Sequence, residues 1–403
     1  MNRINTDPQK IKELVERGVE EVIISDHLEE QLKSGRQLRV KFGIDPTGPV
    51  IHLGNAIPLW KLRQFQDLGH QIVLLIGDFT ARIGDTSDKQ AIRQPLSEEE
   101  IEKNMQTYKE QMGKILDLEK TEFVYNSQWL RKLNFEEVLK LQSSFTVAQM
   151  IERENFHDRY KEGKPISLPE FSYPLMQGYD SVAIKADVEI GGTDQTFNML
   201  AGRVIQRDYG QEPQDVITLS LLEGIDGRKM SKSYGNIIGI TDSPQEIYGK
   251  TMSMKDELII KYFSLCTQKS SEEIKKLEKD LENGKTNPRD IKAMLAREIV
   301  KIYHGEKAAP EAEEEFNRIF REKELPAKMP AVKVGAGEYN ILDLLVKIKA
   351  APSKAEAKRL VIQSGVKINR QAENDWQKNI KVEIEKEIII QVGKRKFVKV
   401  AGG

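Results

Sequence analysis

Apolar residues recur at two different spacings along this chain, and the switches between them outline its elements. In the first forty or so residues they fall at Ile11, Leu14, Val15, Val19 and Val22, the three-to-four spacing of a helical lead-in. Residues 38–44 then read as a strand, followed by the turn-rich Asp45-Pro46-Thr47-Gly48-Pro49. Residues 53–68 read as an amphipathic helix closed by Gly69, and residues 71–76 as an apolar strand with β-branched positions. Strand, helix and strand in such close succession form a βαβ unit, which requires a parallel sheet. Further strands are expected at 122–125, 186–190 and 216–219, the last two flanking a helix that begins near Thr193. A helical stretch from about 127 to 165 interrupts this α/β pattern.

From 243 to 324 the pattern is helical with Lys/Glu-rich faces. Pro326, Pro330, Gly335 and Gly337 then mark a linker. The tail resumes at Tyr339 with a helix pattern (Ile341, Leu344, Leu345, Ile348), a second helix over 353–364, and short strands at 366–368, 388–392 and 397–400. The expected division is therefore an α/β domain over 1–240, a helical domain over 241–325, a linker over 326–338 and a small α+β domain over 339–403. No internal repeat is visible.

Composition narrows the class. With 403 residues, 39% hydrophobic and 31% charged, the chain has material for more than one core. It carries 62 Lys+Arg against 63 Asp+Glu, which excludes a chain that is basic overall. The balance hides an asymmetry, however. Residues 331–403 carry a net charge of +7 and the rest a net of −8. A basic tail on an acidic body suits a polyanion partner, and a solvated lysine-rich surface would look the same. Cys266 is the one cysteine, so neither a disulfide framework nor a Cys-rich zinc site is available. The opening MNRINTDPQK lacks the form of a signal peptide, and the longest apolar stretch, near 72–76, is too short to span a bilayer. A cytoplasmic location is the expectation.

Two segments carry chemistry. His52-Leu53-Gly54-Asn55 follows the first α/β strand and opens a helix, where unsatisfied N–H groups bind phosphate. Gly54 lets a flat nucleobase approach the backbone, and His52 can donate to a phosphate oxygen. Taken alone, such a segment is more often an ordinary polar helix start. Lys229-Met230-Ser231-Lys232-Ser233 lies beyond the last α/β strand, between Gly227 and Gly235. Two lysines and two hydroxyls in so short a loop make an anion clamp suited to a leaving pyrophosphate.

Together, in this order, the two segments resemble the signatures of class I aminoacyl-tRNA synthetases. Asn55 stands where the first signature commonly ends in histidine. A third segment, Tyr173-Pro-Leu-Met-Gln177-Gly-Tyr-Asp180, sets three polar residues on one helix face. Tyr and Gln can receive an ammonium group there, and Asp can accept from a phenol. Gly191-Gly192-Thr193-Asp194-Gln195 and Lys41-Phe-Gly-Ile-Asp45-Pro-Thr47 complete a combination similar to tyrosyl-tRNA synthetases of bacterial type. The resemblance implies a Rossmann-like catalytic domain with a helical insertion. It assigns tyrosine to Asp45, Asp85, Tyr173, Gln177, Asp180 and Gln195. ATP falls to His52, Gly54, Asn55, Gly192, Asp194, Met230 and Lys232, and catalysis to Thr47, His52, Asn55, Lys229, Lys232 and Ser233. One position departs: Lys41 stands where many bacterial members carry a phenol-reading tyrosine, as in the subgroup with a KMSKS loop.

The tail resembles the alpha-L RNA-binding fold over 353–369, which implies tRNA contacts at Lys354, Lys358, Arg359 and Lys367. Related tryptophanyl enzymes normally lack this domain. The resemblance further implies ATP with Mg2+ as substrate, L-tyrosine and tRNA(Tyr) as partners, no tightly bound cofactor, no protein-bound metal and no editing domain. It also implies a homodimer formed through the insertion, where Trp129, Leu130, Phe135, Val138, Leu139, Leu141, Phe145, Val147 and Met150 are equally suited to core packing. The helical domain would face the anticodon. The rivals are a tryptophanyl enzyme and a synthetase-derived RNA-binding protein without ligase activity.

Overall fold

The computed structural model describes residues 4–46, 48–85, 97–231, 234–320, 325–326, 329–384, 386–393 and 396–403. They fall into two compact units, Met1–Asp242 with Ser253–Leu295, and Ser243–Met252 with Ala296–Gly403.

The first unit is built on a six-stranded sheet. Its elements run α1 (Pro8–Glu16), β1 (Val19–Ile23), α2 (Ser25–Lys33), β2 (Arg39–Ile44), α3 (Leu53–Asp67), β3 (Gln71–Ile76), α4 (Glu98–Met112) and β4 (Thr121–Tyr125). They continue with α5 (Ser127–Leu130), α6 (Phe135–Gln142), α7 (Val147–Ile151), α8 (Glu154–Lys161), α9 (Leu168–Ile184), β5 (Val188–Gly192), α10 (Thr196–Asp208) and β6 (Asp215–Leu219). The strand order is β1-β6-β5-β2-β3-β4, parallel throughout except for β1. Val40, Val73, Leu74, Val188 and Ile217 are fully buried, as expected of a parallel sheet covered on both faces.

Three sequence expectations change here. The lead-in is not one helix: α1 ends at Glu16, and Val19 and Val22 lie in β1, antiparallel to β6. Gly18, at φ +66°, makes the break that a helix cannot contain. The strand expected from 186 begins at Val188, because Lys185 adopts φ 52° and the Ala186 amide still closes onto the Ser181 carbonyl of α9. Thr193 opens a single 3-10 turn, and α10 starts only at Thr196. Helix α4, capped by Ser97 with Glu100 in a capping box, was not anticipated.

Next come α11 (Pro244–Met252), α12 (Ile259–Cys266), α13 (Ser271–Glu282), α14 (Pro288–His304) and α15 (Ala308–Phe320). In the second unit, α11 packs on α15 through Tyr248 and Phe316, with ring centroids 5.3 Å apart. The tail holds β7 (Ala331–Val334), β8 (Gly337–Asn340), α16 (Ile341–Lys347), α17 (Lys354–Ile362), β9 (Val366–Ile368), β10 (Gln371–Glu373), β11 (Asn379–Val382), β12 (Ile388–Val392) and β13 (Lys396–Gly402). Its five-stranded sheet has the order β10-β9-β12-β13-β7, and β8 pairs with β11. Leu344, Leu345, Val361, Ile390 and Val400 form its core. Residues 331–334 and 337–338, read as linker, and 339–340, read as the start of a helix pattern, are thus strands: β7 runs parallel to β13, at the far end of the chain, and β8 pairs with β11.

Candidate active site

The carboxyl ends of β2, β3 and β4 meet at one polar centre. At the end of β2, Asp45 accepts from the Tyr173 phenol (2.9 Å) and from the Thr80 hydroxyl (2.8 Å). Gly77 makes this possible, since a Cβ there would lie 1.9 Å from Asp45 Oδ1. Asn126, just after β4, donates to Thr80 Oγ1 (3.1 Å) and to Asp180 Oδ2 (3.2 Å). Trp129 Nε1 donates to Asp180 Oδ1 at 2.7 Å. Tyr173, Asp45, Thr80, Asn126, Asp180 and Trp129 are therefore one continuous hydrogen-bonded chain.

Burial sets the protonation of its members. Asp180 is 1% exposed, and burial pushes its carboxyl up to about 7 against the opposing pull of Lys41 and of its two N–H donors. Burial, with the Asp45 and Asp85 carboxylates next in weight, holds the Tyr173 phenol well above its ordinary value. Tyr173 is thus a neutral donor.

Behind this centre lies a buried ion pair. Lys41 on β2 sits 2.9 Å from Glu189 on β5, directly opposite it in the sheet register. Gln177 donates to the same carboxylate at 3.1 Å. Of the three residues assigned to one face of α9, Tyr173 thus reaches Asp45, Gln177 reaches Glu189 and Asp180 reaches Asn126 and Trp129. Gln195 donates to Asp85 at 2.7 Å, which ties the end of the 193–195 turn to the β3 side. Arg153, buried over the rings of Phe156 and Phe197, directs its charge toward Asp85 and Tyr173.

His52 is the N-cap of α3. Its Nδ1 accepts from the Asn55 amide (3.3 Å), and its own amide donates to Asn55 Oδ1 (3.4 Å). Asn55 thus serves as the N3 partner of a capping box. Pro58, inside α3, has no N–H to return to the Gly54 carbonyl one turn earlier, so that carbonyl is outside the helix ladder. The Leu53 amide donates to Ile238 O (2.9 Å) and the Ile240 amide to Ile51 O (3.0 Å). These bonds bring the segment after the 229–233 loop against the helix start. A Cβ on Gly54 would lie 3.4 Å from the Met230 sulfur, so the two signatures meet in space.

The loop has a firm base. Asn236, 2% exposed, donates to Asp226 Oδ1 (2.8 Å) and Lys229 O (3.0 Å), and accepts from the Ser231 amide (2.9 Å). Asp226 is held down to about 2, first by the Asn236 bond and then by Arg228. Lys229 is exposed at the loop surface. Thr47, Lys232 and Ser233 lie outside the described residues. Gly192 is the cap of the 193–195 turn, with the exposed Asp194 beside it. Among the described residues no group of three or more His, Cys, Asp or Glu is arranged to hold a metal ion. No helix among them is long and apolar enough to cross a membrane.

In the tail, Lys354 pairs with Asp343 (2.5 Å), Arg359 with Glu356 (2.5 Å), and Lys358 sits 3.7 Å above the Trp376 ring. Lys367 is exposed on β9. Gly77, Thr80, Asn126, Glu189 and Asn236 were missed by sequence reasoning, and Trp129 was counted only as an apolar member of the insertion. Gly77 and Asn126 carry one visible signal, a glycine or polar residue immediately after a strand; Thr80, Glu189 and Asn236 carry no such local signal.

The family described as tRNA synthetases class I (W and Y) matches residues 33–321, and the tyrosine–tRNA ligase SYY-like C-terminal domain matches 322–400. The chain is 51% identical over 397 residues to a tyrosine–tRNA ligase of Thermotoga maritima, covering 98% of both chains. It is 48% identical over 401 residues to that of Haemophilus influenzae, covering 99% of this chain and 98% of that one. Among solved structures, a tyrosyl-tRNA synthetase of Archaeoglobus fulgidus complexed with L-tyrosine shares the fold at a TM-score of 0.60 and 22% identity, over 75% of this chain and 98% of that one.

Proposed function

The chain belongs to the class I tyrosine–tRNA ligases, and from that premise we propose how its residues divide the work. The reaction has two steps. The tyrosine carboxylate attacks the α-phosphate of ATP, releasing pyrophosphate, and the tyrosyl group then passes from the adenylate to the 3′ end of tRNA. The substrate carboxylate is itself the nucleophile, so the protein acts by positioning and by stabilising charge on the phosphates.

The observation that carries the residue roles is the hydrogen-bonded chain from Tyr173 to Trp129. It leaves a carboxylate, Asp180, braced by two N–H donors and suited to accept a phenol O–H. Asp45, Asp85, Tyr173, Gln177 and Gln195 hold the amino-acid end. His52, Gly54 and Asn55 at the α3 start, with Gly192, Asp194 and Met230, hold the nucleotide. Thr47, His52, Asn55, Lys229, Lys232 and Ser233 stabilise the departing pyrophosphate. Magnesium enters bound to the triphosphate and is part of the substrate.

The helical domain over 241–325 faces the anticodon, and the tail over 339–403 binds tRNA(Tyr) through Lys354, Lys358, Arg359 and Lys367. The insertion joins two copies into a homodimer: Phe135 is 77% and Val147 68% exposed, which a partner would cover. The working location is the cytoplasm. Tyrosine-dependent exchange of labelled pyrophosphate into ATP, with phenylalanine and tryptophan in parallel, tests the pocket. Exchange with tyrosine alone is expected. Exchange with tryptophan would overturn the Asp180 assignment.

A further inference from the structure

We propose that Lys41 positions the tyrosine-reading face of α9, acting through Glu189 and the α9 backbone rather than by touching substrate. The side chain is 0% exposed. An ammonium has three donors, and here it has three acceptors: Glu189 Oε1 at 2.9 Å, the Gln177 carbonyl at 2.9 Å and Ser181 Oγ at 2.8 Å. None is left for a ligand.

Glu189, 1% exposed, is saturated in the same way. Its Oε1 also accepts from Gln177 Nε2 (3.1 Å), and its Oε2 accepts from Ser181 Oγ (3.3 Å) and Gln214 Nε2 (2.5 Å). The pair thus bolts α9 to β2 and β5 at Gln177 and Ser181, the positions on either side of Asp180's turn. It orients the Gln177 amide directly. Its positive member also favours the ionised form of Asp180, while Glu189 opposes it. A pair so completely bonded costs much to break singly and little to replace together.

The test compares Lys41→Met, Lys41→Met/Glu189→Gln and Asp180→Ala by pyrophosphate exchange, with thermal melting as the check on folding. Lys41→Met strands a buried carboxylate and is expected to lower the yield of folded protein. The double variant removes both charges and keeps the fold. In it the KM for tyrosine should rise about tenfold and discrimination against phenylalanine fall about tenfold, with the KM for ATP within about twofold of the parent. A folded double variant with unchanged tyrosine KM and discrimination overturns the inference. The inference rests on Gln177 and Asp180 lining the tyrosine pocket. Asp180→Ala separates the two failures: retained discrimination there overturns the pocket, whereas lost discrimination there, with none lost in the double variant, overturns only the role of Lys41.

Discussion

The indole of Trp129 and the carboxylate of Asp180 are joined by a 2.7 Å hydrogen bond, so the helical insertion holds the side chain proposed to read the tyrosine phenol. Trp129→Phe keeps the ring and removes the donor. A hydrogen bond to a charged group is worth about 1.5 kcal/mol or more, so the tyrosine KM should rise roughly tenfold while the ATP KM holds. Steady-state pyrophosphate exchange measures both.

Asp180 also makes the pocket sensitive to pH. Burial pushes its carboxyl up to about 7, and the ionised form accepts a phenol hydrogen more strongly than the protonated one. Tyrosine kcat/KM, and discrimination against phenylalanine, should rise with pH through about 7. A profile flat across that range would contradict the assignment. Stability should move the other way. Between about 4 and about 7 the folded protein holds a proton that the unfolded chain has released, so this group's contribution declines as pH rises. Melting curves of Asp180→Asn across that window should lack this decline.

Gly77 has no room for a side chain. A methyl 1.9 Å from Asp45 Oδ1 must push that carboxylate off Tyr173 and Thr80. Gly77→Ala should cost about 1–3 kcal/mol of stability and at least about tenfold in tyrosine activation. Denaturant melts and exchange rates measured on the same preparation test both effects.

The 229–233 loop should separate affinity from rate. Asn236→Ala removes the brace at its base, and Lys232→Ala removes a charge from it. Both should slow adenylate formation, the first by about tenfold, with tyrosine affinity nearly unchanged. Single-turnover kinetics read the rate, and equilibrium titration reads the affinity. Equal losses in both would count against a leaving-group role.

His27, on α2, lies 3.0 Å from Asp215 at the start of β6. Its hydrogen bond to Asp215 holds the imidazole above its ordinary value, against the lowering effect of burial. Asp215 is raised as well, because there burial outweighs the histidine. The histidine's contribution is fully present below about 6.5 and is lost as pH rises through its raised folded value. His27→Ala should therefore cost about 0.5–1 kcal/mol near pH 6 and less near pH 9. Urea melts at the two pH values give the comparison.

What was legible in the chain follows the range of the interactions. Strands β2 and β3 and the cap at His52 announce themselves within a few residues, through apolar runs and a helix start. Trp129 and Asp180 are 51 residues apart, and Lys41 and Ser181 are 140 apart. No local pattern links such partners. The resemblance named Asp180 but left Lys41 as an unexplained departure, because its meaning lies in Glu189 across the sheet. Strand β1 was misread because Val19 and Val22 fit a helical spacing, and the φ of Gly18 decides against it. Strands β7 and β8 lie among prolines and glycines and gain their partners from distant parts of the tail, β7 from β13 and β8 from β11.

Strand β1 has a consequence beyond topology. Without it, β6, whose five residues are all buried, would be the sheet's open edge. A bare, apolar strand edge is a template for pairing with another chain. The VEEVI segment covers that edge, with a register shift between Val19 and Glu21 and with exposed glutamates at positions 20 and 21. Irregular, charged and antiparallel, it makes a poor surface for further strands to join. The N-terminal segment thus leaves β6 without a bare edge, and trimming it is expected to favour association between chains.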